Sequence, residues 1–253
     1  MAKIIAFANQ KGGVGKTTSA VSIAAALGIK NKKVLLVDFD PQGNASSSVG
    51  ILKSQTKLSV YDVLIGRCQA NDAIMKTEYK KLDVMPSGVD LAAAELELAE
   101  FENRQNRLRD ALAEVSDKYD YIVIDCPPSL GMLTVNALTA ADGMIIPMQC
   151  EYLALEGLSQ MLMTVKQIKK LYNPKLSLTG ILITMYNGRL NLSIQVLEEL
   201  KKHYEEKLFS VNVSRSVRLS EAPSYGAPIQ YYDKKNKCAR DYSTIAKEII
   251  ERI

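Results

Sequence analysis

Histidine, paired cysteine, long apolar runs and strong net charge are all scarce in this sequence, and each scarcity narrows its chemistry. The one histidine, His203, sits beside Lys201 and Lys202 and reads as a surface residue with no catalytic role. The four cysteines, Cys68, Cys126, Cys150 and Cys238, are far apart and form no C-x-x-C pair, which argues against a disulfide scaffold or a cysteine metal site and for reduced thiols. No stretch approaches the roughly 18 uninterrupted apolar residues of a membrane span. The apolar run 4–8 leads straight into Asn9, Gln10 and Lys11, unlike a secretory signal. The expectation is a cytoplasmic protein with no membrane partner. Repeats, low-complexity tracts and dividing linkers are also lacking. Basic residues exceed acidic ones by 32 − 28 = 4, so an anionic partner would have to be met by clustered charge.

What remains is an ordinary globular composition, 47% apolar and 24% charged over 253 residues. That length suits one domain spanning 1–253, since single cores grow to about 250–300 residues. Short Ile- and Val-rich runs at 3–8, 33–38, 82–85, 121–125, 144–148 and 178–185 read as buried strands. The stretches 16–28, 90–101, 104–115, 130–140 and 155–172 read as helices. Apolar strands separated by helices predict an α/β fold whose mainly parallel sheet carries helices on both faces. Gly28 and Asn31 mark the expected end of the first helix, and Ser59 with Asp62 fits a capping box. The last third is less regular, with a helix over 192–204, a loop region over 213–230 and an amphipathic helix over 240–253.

Between the first strand and the first helix runs Gln10-Lys11-Gly12-Gly13-Val14-Gly15-Lys16-Thr17-Thr18. Phosphate needs many donors at close range. Glycines let backbone N–H groups approach it, and a helix N-terminus adds a partial positive field. Lys16 supplies a point charge for the β- and γ-phosphates of ATP, and Thr17 a hydroxyl for Mg²⁺. The usual P-loop has glycine where Gln10 stands; this one carries an additional lysine, Lys11. Two further segments end strands in acids: Asp38 with Asp40, and Asp125. Ligands of open α/β sheets bind at strand C-termini, so these carboxylates are candidates to face the nucleotide, with Asp125 in the position of a Walker B acid that holds Mg²⁺.

The loop K-G-G-V-G-K-T-T resembles the deviant Walker A of the ParA/MinD class of ATPases. The resemblance implies an ATP-sandwich homodimer in which Lys11 reaches the partner's phosphates. It implies that Asp40, second acid of D-x-D-P-Q-G-N at 38–44, orients the attacking water while Asp38 supports the Mg²⁺ shell. The segments at 147–157 and 214–226, the latter with the core R-L-S-E-A-P-S, look like the chromosomal ParA proteins called Soj. That likeness implies a partition ATPase whose ATP dimer binds DNA without sequence preference, sits on the nucleoid, and responds to a ParB-type partner. It makes Arg189 and Arg218, then Arg215 and Lys247, the DNA-contact candidates, and Ser214 and Ser216 the candidate adenine contacts. With nothing ahead of the first strand, no helix-turn-helix domain is expected. The rival readings are a MinD-like membrane-associated regulator, which needs a basic amphipathic C-terminal helix, and a metabolic P-loop enzyme, for which no substrate motif stands out. The charge-balanced final helix reads as core packing, with its stripe of Ile245, Ile249, Ile250 and Ile253.

Overall fold

The computed structural model describes residues 1–253. Seven strands, β1 (Lys3–Phe7), β2 (Val34–Asp38), β3 (Met75–Lys76), β4 (Leu82–Met85), β5 (Tyr121–Asp125), β6 (Gly143–Met148) and β7 (Ser177–Ile183), form one sheet in the order β3-β4-β2-β5-β1-β6-β7. All pairs are parallel except the two-residue edge strand β3, which runs against β4. The helices are α1 (Lys16–Ile29), α2 (Asn44–Ser48), α3 (Val60–Leu64), α4 (Leu91–Glu97), α5 (Arg107–Ala113), α6 (Met132–Ala140), α7 (Ala154–Leu171), α8 (Asn191–Tyr204), α9 (Val217–Glu221), α10 (Ile229–Tyr232) and α11 (Lys237–Arg252).

Because side chains alternate across a strand, apolar runs feed two cores at once. Phe7, Leu36, Val123, Ile145 and Leu182 pack on one face with Ile23 and Leu27 of α1 and Tyr242, Ile245 and Ile249 of α11. Ala8, Val37, Ile124, Ile146 and Ile183 pack on the other with Leu64, Leu91, Leu108, Leu138, Leu158 and Leu200. The α11 stripe is therefore spent on the core: Ile245 and Ile249 are fully buried, and Ile250 and Ile253 pack beside them. No helix is long and apolar enough to cross a membrane.

The expected strands all form, within one or two residues of the expected ends. The Ser59–Asp62 capping box forms as well: Tyr61 N–H donates to the Ser59 hydroxyl at 3.2 Å and Ser59 N–H to Asp62 Oδ2 at 2.9 Å. Three expectations change. Gly28 lies inside α1; the left-handed residue that ends it is Asn31, at φ 67°. The region 213–230 is no plain loop but holds α9, a 3-10 turn (Ala222–Tyr225) and α10. The last strand stops at Ile183, and Met185 turns at φ 49°.

Candidate nucleotide site

Parallel register brings the strand ends level. Phe7 and Asp38 both pair with Asp125, so the loop after β1 and the acids ending β2 and β5 meet at one edge. Gly15 is the α1 N-cap, at φ 83° and with no side-chain cap, and Gly13 is also left-handed, at φ 71°. The first N–H groups of α1 are left for an anion, the arrangement that binds phosphate. Neighbouring strands hold the loop in shape. The Thr184 hydroxyl donates to the Val14 carbonyl at 2.7 Å, Gln149 Nε2 to the Gly13 carbonyl at 2.9 Å, and Asn9 Nδ2 to the Pro147 carbonyl at 2.8 Å. Asn9 Oδ1 also accepts from Lys11 N–H at 3.0 Å.

Lys16 is buried, with its ammonium on the Lys11 carbonyl at 3.1 Å. Burial lowers its pKa, and the charges of Asp125 and Asp40 act the other way. Lys11 makes an ion pair with Glu151 of its own chain, both side chains about half exposed (48% and 49%). In the single chain its ammonium is thus engaged away from any partner subunit.

The two strand-end acids differ in a way that sorts their roles. Asp38 is fully buried and fully used: Oδ2 accepts from Ser46 N–H at 2.7 Å and the Ser46 hydroxyl at 2.6 Å, and Oδ1 from Asp40 N–H at 3.4 Å. Burial pushes its pKa up to about 6, against the bonds from Ser46. Asp38 braces the 38–46 loop. Asp125 is equally buried, yet neither carboxylate oxygen has a hydrogen-bond partner. Burial first, then the Asp38 charge, raise its pKa well above the ordinary range; nearby Thr17 and Lys16 pull it down, although the Thr17 hydroxyl does not reach hydrogen-bonding geometry. A buried carboxylate without partners is costly unless a cation answers it. Oxygen donors from Asp125 and Thr17 fit Mg²⁺, which takes one or two protein oxygens together with substrate phosphates. No cluster of three or more His, Cys, Asp or Glu is placed to hold an ion alone. Asp40 is also buried, and its Oδ1 accepts from Gln42 N–H at 2.9 Å.

Beside α1 opens a cavity of about 280 Å³ lined by Gly15, Thr18, Ser214, Ser216, Pro223 and Tyr242, among others. The two candidate adenine contacts therefore share a pocket with the end of the phosphate loop. A wider groove of about 840 Å³ runs from Gly13 and Glu151 to Arg189 and Arg215. The pairing that builds it is Tyr186 N–H on the Val213 carbonyl at 3.0 Å. The guanidinium groups of Arg189 and Arg215 make no ion pair. Arg218 is held by Glu221 at 3.2 Å and by the Tyr232 hydroxyl at 3.3 Å. Lys247 lies on α11 with Glu251 at 3.7 Å, outside the groove. The loop-holding roles of Thr184, Gln149 and Asn9 follow from sheet register, and that of Ser46 from the turn that brings α2 back onto Asp38.

A phosphate-shaped loop at a helix N-terminus, an interior lysine and an open strand-end carboxylate define a P-loop nucleotide-binding protein. An AAA domain family matches residues 2–178. The chain is 52% identical to the sporulation initiation inhibitor protein Soj of Bacillus subtilis, over 98% of each chain. It is 46% identical to the chromosome partitioning protein ParA of Caulobacter vibrioides, over 99% of this chain and 94% of that one. The chain belongs to the ParA/Soj family of chromosome-partitioning ATPases. Among solved structures, a putative plasmid partition protein of Borrelia burgdorferi bound to AMPPNP superposes with TM-score 0.86 at 29% identity, covering 100% of each chain. Cobyrinic acid a,c-diamide synthase of Mycobacterium smegmatis, with an ATP analog and magnesium, does so with TM-score 0.87 at 37% identity, over 99% of this chain and 95% of that one.

Proposed function

We propose that this chain is a nucleotide-switched DNA-partition ATPase: its ATP-bound homodimer holds DNA without sequence preference, and hydrolysis stimulated by a ParB-type partner releases it. The observation that carries this reading is the groove in which Gly13 and Glu151, at the phosphate loop, share one wall system with the free guanidinium groups of Arg189 and Arg215. A change at the nucleotide then reaches the DNA-facing surface without a long relay.

Lys16 and the free N–H groups of α1 hold the phosphates, while Thr18, Ser214 and Ser216 line the base pocket. Thr17 and Asp125 would hold Mg²⁺, which would supply neutralisation of phosphate charge. Asp40 orients the attacking water, and Asp38, locked by Ser46, fixes the loop that carries Asp40. On dimerisation Lys11 exchanges Glu151 for the partner's nucleotide. Arg189 and Arg215 give phosphate-backbone contacts, with Arg218 joining once released from Glu221; Lys247 is the outlying fourth. The protein acts in the cytoplasm, on the nucleoid when ATP is bound. Burial of the α11 stripe weighs against a MinD-like membrane anchor. Soj and ParA, at 52% and 46% identity, stand above both the diamide synthase at 37% and the plasmid partition protein at 29%, which favours the chromosome-partition reading over small-molecule chemistry.

Asp40→Ala tests the switch. It is expected to bind ATP normally and to hydrolyse it on the order of 10²-fold more slowly, leaving a long-lived DNA complex. Full hydrolysis by this variant would remove Asp40 from the mechanism.

A further inference from the structure

The N-terminal ends of the parallel strands lie at the pole opposite the phosphate loop, and the nucleotide chemistry gives no reason for charge to gather there. Yet Lys33, Lys76, Lys81 and Lys118 line one cavity of about 580 Å³ at this pole, together with Asn71, Tyr119 and a single acid, Asp83. They come from four segments. Lys33 and Lys81 precede β2 and β4, brought side by side by the Val34–Leu82 register, Lys76 is on β3, and Lys118 follows α5. Lys30 and Lys32 flank Asn31, whose carbonyl accepts from Lys81 Nζ at 2.9 Å, and Lys80 packs its carbonyl against Gly28. Lys76 answers the buried Asp83 at 2.6 Å, and Lys118 donates to the Asn71 side chain. None of Lys30, Lys32, Lys33, Lys80, Lys81 and Lys118 has an ion-pair partner. The other acids here are Glu78, two residues before Lys80, Asp120, engaged by Lys33 N–H at 2.7 Å, and Asp117, which faces the chain's amino terminus at 3.7 Å. Set against these three acids, the six lysines leave the pole a net charge of 6 − 3 = +3.

We infer that this lysine pole is a second contact surface for the phosphate backbone of double-stranded DNA, working independently of nucleotide. Lysines without arginine give point charges suited to a sequence-blind backbone rather than bidentate recognition of one group. Single strands call for open aromatic faces; the one aromatic lining the cavity, Tyr119, has its hydroxyl on Asp83 at 2.8 Å, and the exposed Tyr231 packs against Tyr79 at 4.7 Å. A lipid surface calls for an apolar face to insert, and the exposed apolar side chains at this pole, Met1, Ile29 and Leu171, come from three separate segments and line no part of the lysine cavity. The inference extends the DNA-partition reading, because two DNA-facing poles let one molecule touch separate duplex segments.

The test is anisotropy of a labelled duplex in the ADP state at about 50 mM salt, where backbone binding is strongest. It compares wild type, the Lys33→Glu/Lys118→Glu double variant and Arg189→Glu, with phosphatidylglycerol vesicles as a parallel arm. Lys81 is left alone because it sits at φ 54°. The expected result is measurable wild-type affinity that falls at least ten-fold in the double variant and is unchanged in Arg189→Glu. The salt slope should also drop by roughly two, about 0.9 for each lost phosphate contact. Absence of wild-type binding, equal affinity of the double variant, or retention on vesicles but not on duplex would overturn it. The partition reading is scored separately, by the ATP-dependent gain in affinity and its loss in Arg189→Glu.

Discussion

Asp38 and Asp125 end neighbouring strands, are equally buried, and differ only in who answers them. Asp38 is satisfied by Ser46, yet burial still raises its pKa to about 6. A carboxyl that holds its proton more tightly when folded gives stability that is present at low pH and lost as pH rises from the ordinary value of 3.8 through about 6. For Asp38 that loss is roughly 3 kcal/mol at one pKa unit per 1.36 kcal/mol, and Asp125 pulls in the same direction. Urea unfolding of the nucleotide-free protein between about pH 4 and pH 7 checks this. The stability difference between wild type and Asp38→Asn should change with pH over that window, the variant gaining as pH rises; a pH-independent difference would contradict the burial account. Asp125→Asn sharpens the contrast. It removes an unanswered buried charge and so should stabilise the free protein by about 1–4 kcal/mol, while nucleotide binding loses its dependence on Mg²⁺. Destabilisation of the free protein would mean that Asp125 already has a partner.

At the scale of elements, the phosphate loop and strands could be read from sequence because each is contiguous. Nine residues from Gln10 to Thr18 carry the loop, and six of the seven strands are apolar runs whose alternate residues fill two cores; the edge strand β3, two residues long and ending in Lys76, carries no such run. The residues that hold the loop in place were not legible. Thr184 and Gln149 reach the loop across 170 and 136 residues, separations that no local pattern records, and Ser46, eight residues after Asp38, acts only because that carboxylate is buried. The helices of 213–230 were hidden for another reason: α9 and α10 have five and four residues, too few for a helical period to show. Gly28 was misread as a helix end, whereas its place inside α1 is set by packing. A Cβ there would collide with the Lys80 backbone carbonyl, which cannot rotate away. Gly28→Ala ordinarily gains about 1 kcal/mol of helix propensity; here it should instead lose about 1–3 kcal/mol through overpacking, read as a lower urea midpoint with unchanged slope. A raised midpoint would show that the approach of α1 to residue 80 is not tight.

At the scale of the whole molecule, the sheet separates two jobs. Its C-terminal edge gathers the phosphate loop, the acids and the groove of Arg189 and Arg215; its N-terminal edge gathers unpaired lysines. The small net charge of +4 is thus no guide to the surface, since cations are concentrated at two places. The central claim is that nucleotide state governs DNA binding through the groove that begins at the phosphate loop. The most direct measurement is duplex affinity near physiological salt, with ATP or ADP, for wild type, Lys16→Ala and Arg189→Glu. The account predicts tight, steeply salt-dependent binding by wild type with ATP alone, lost in Lys16→Ala for want of nucleotide and in Arg189→Glu despite ATP-driven dimerisation. Undiminished binding by Arg189→Glu, or equal binding by wild type with ATP and ADP, would contradict it.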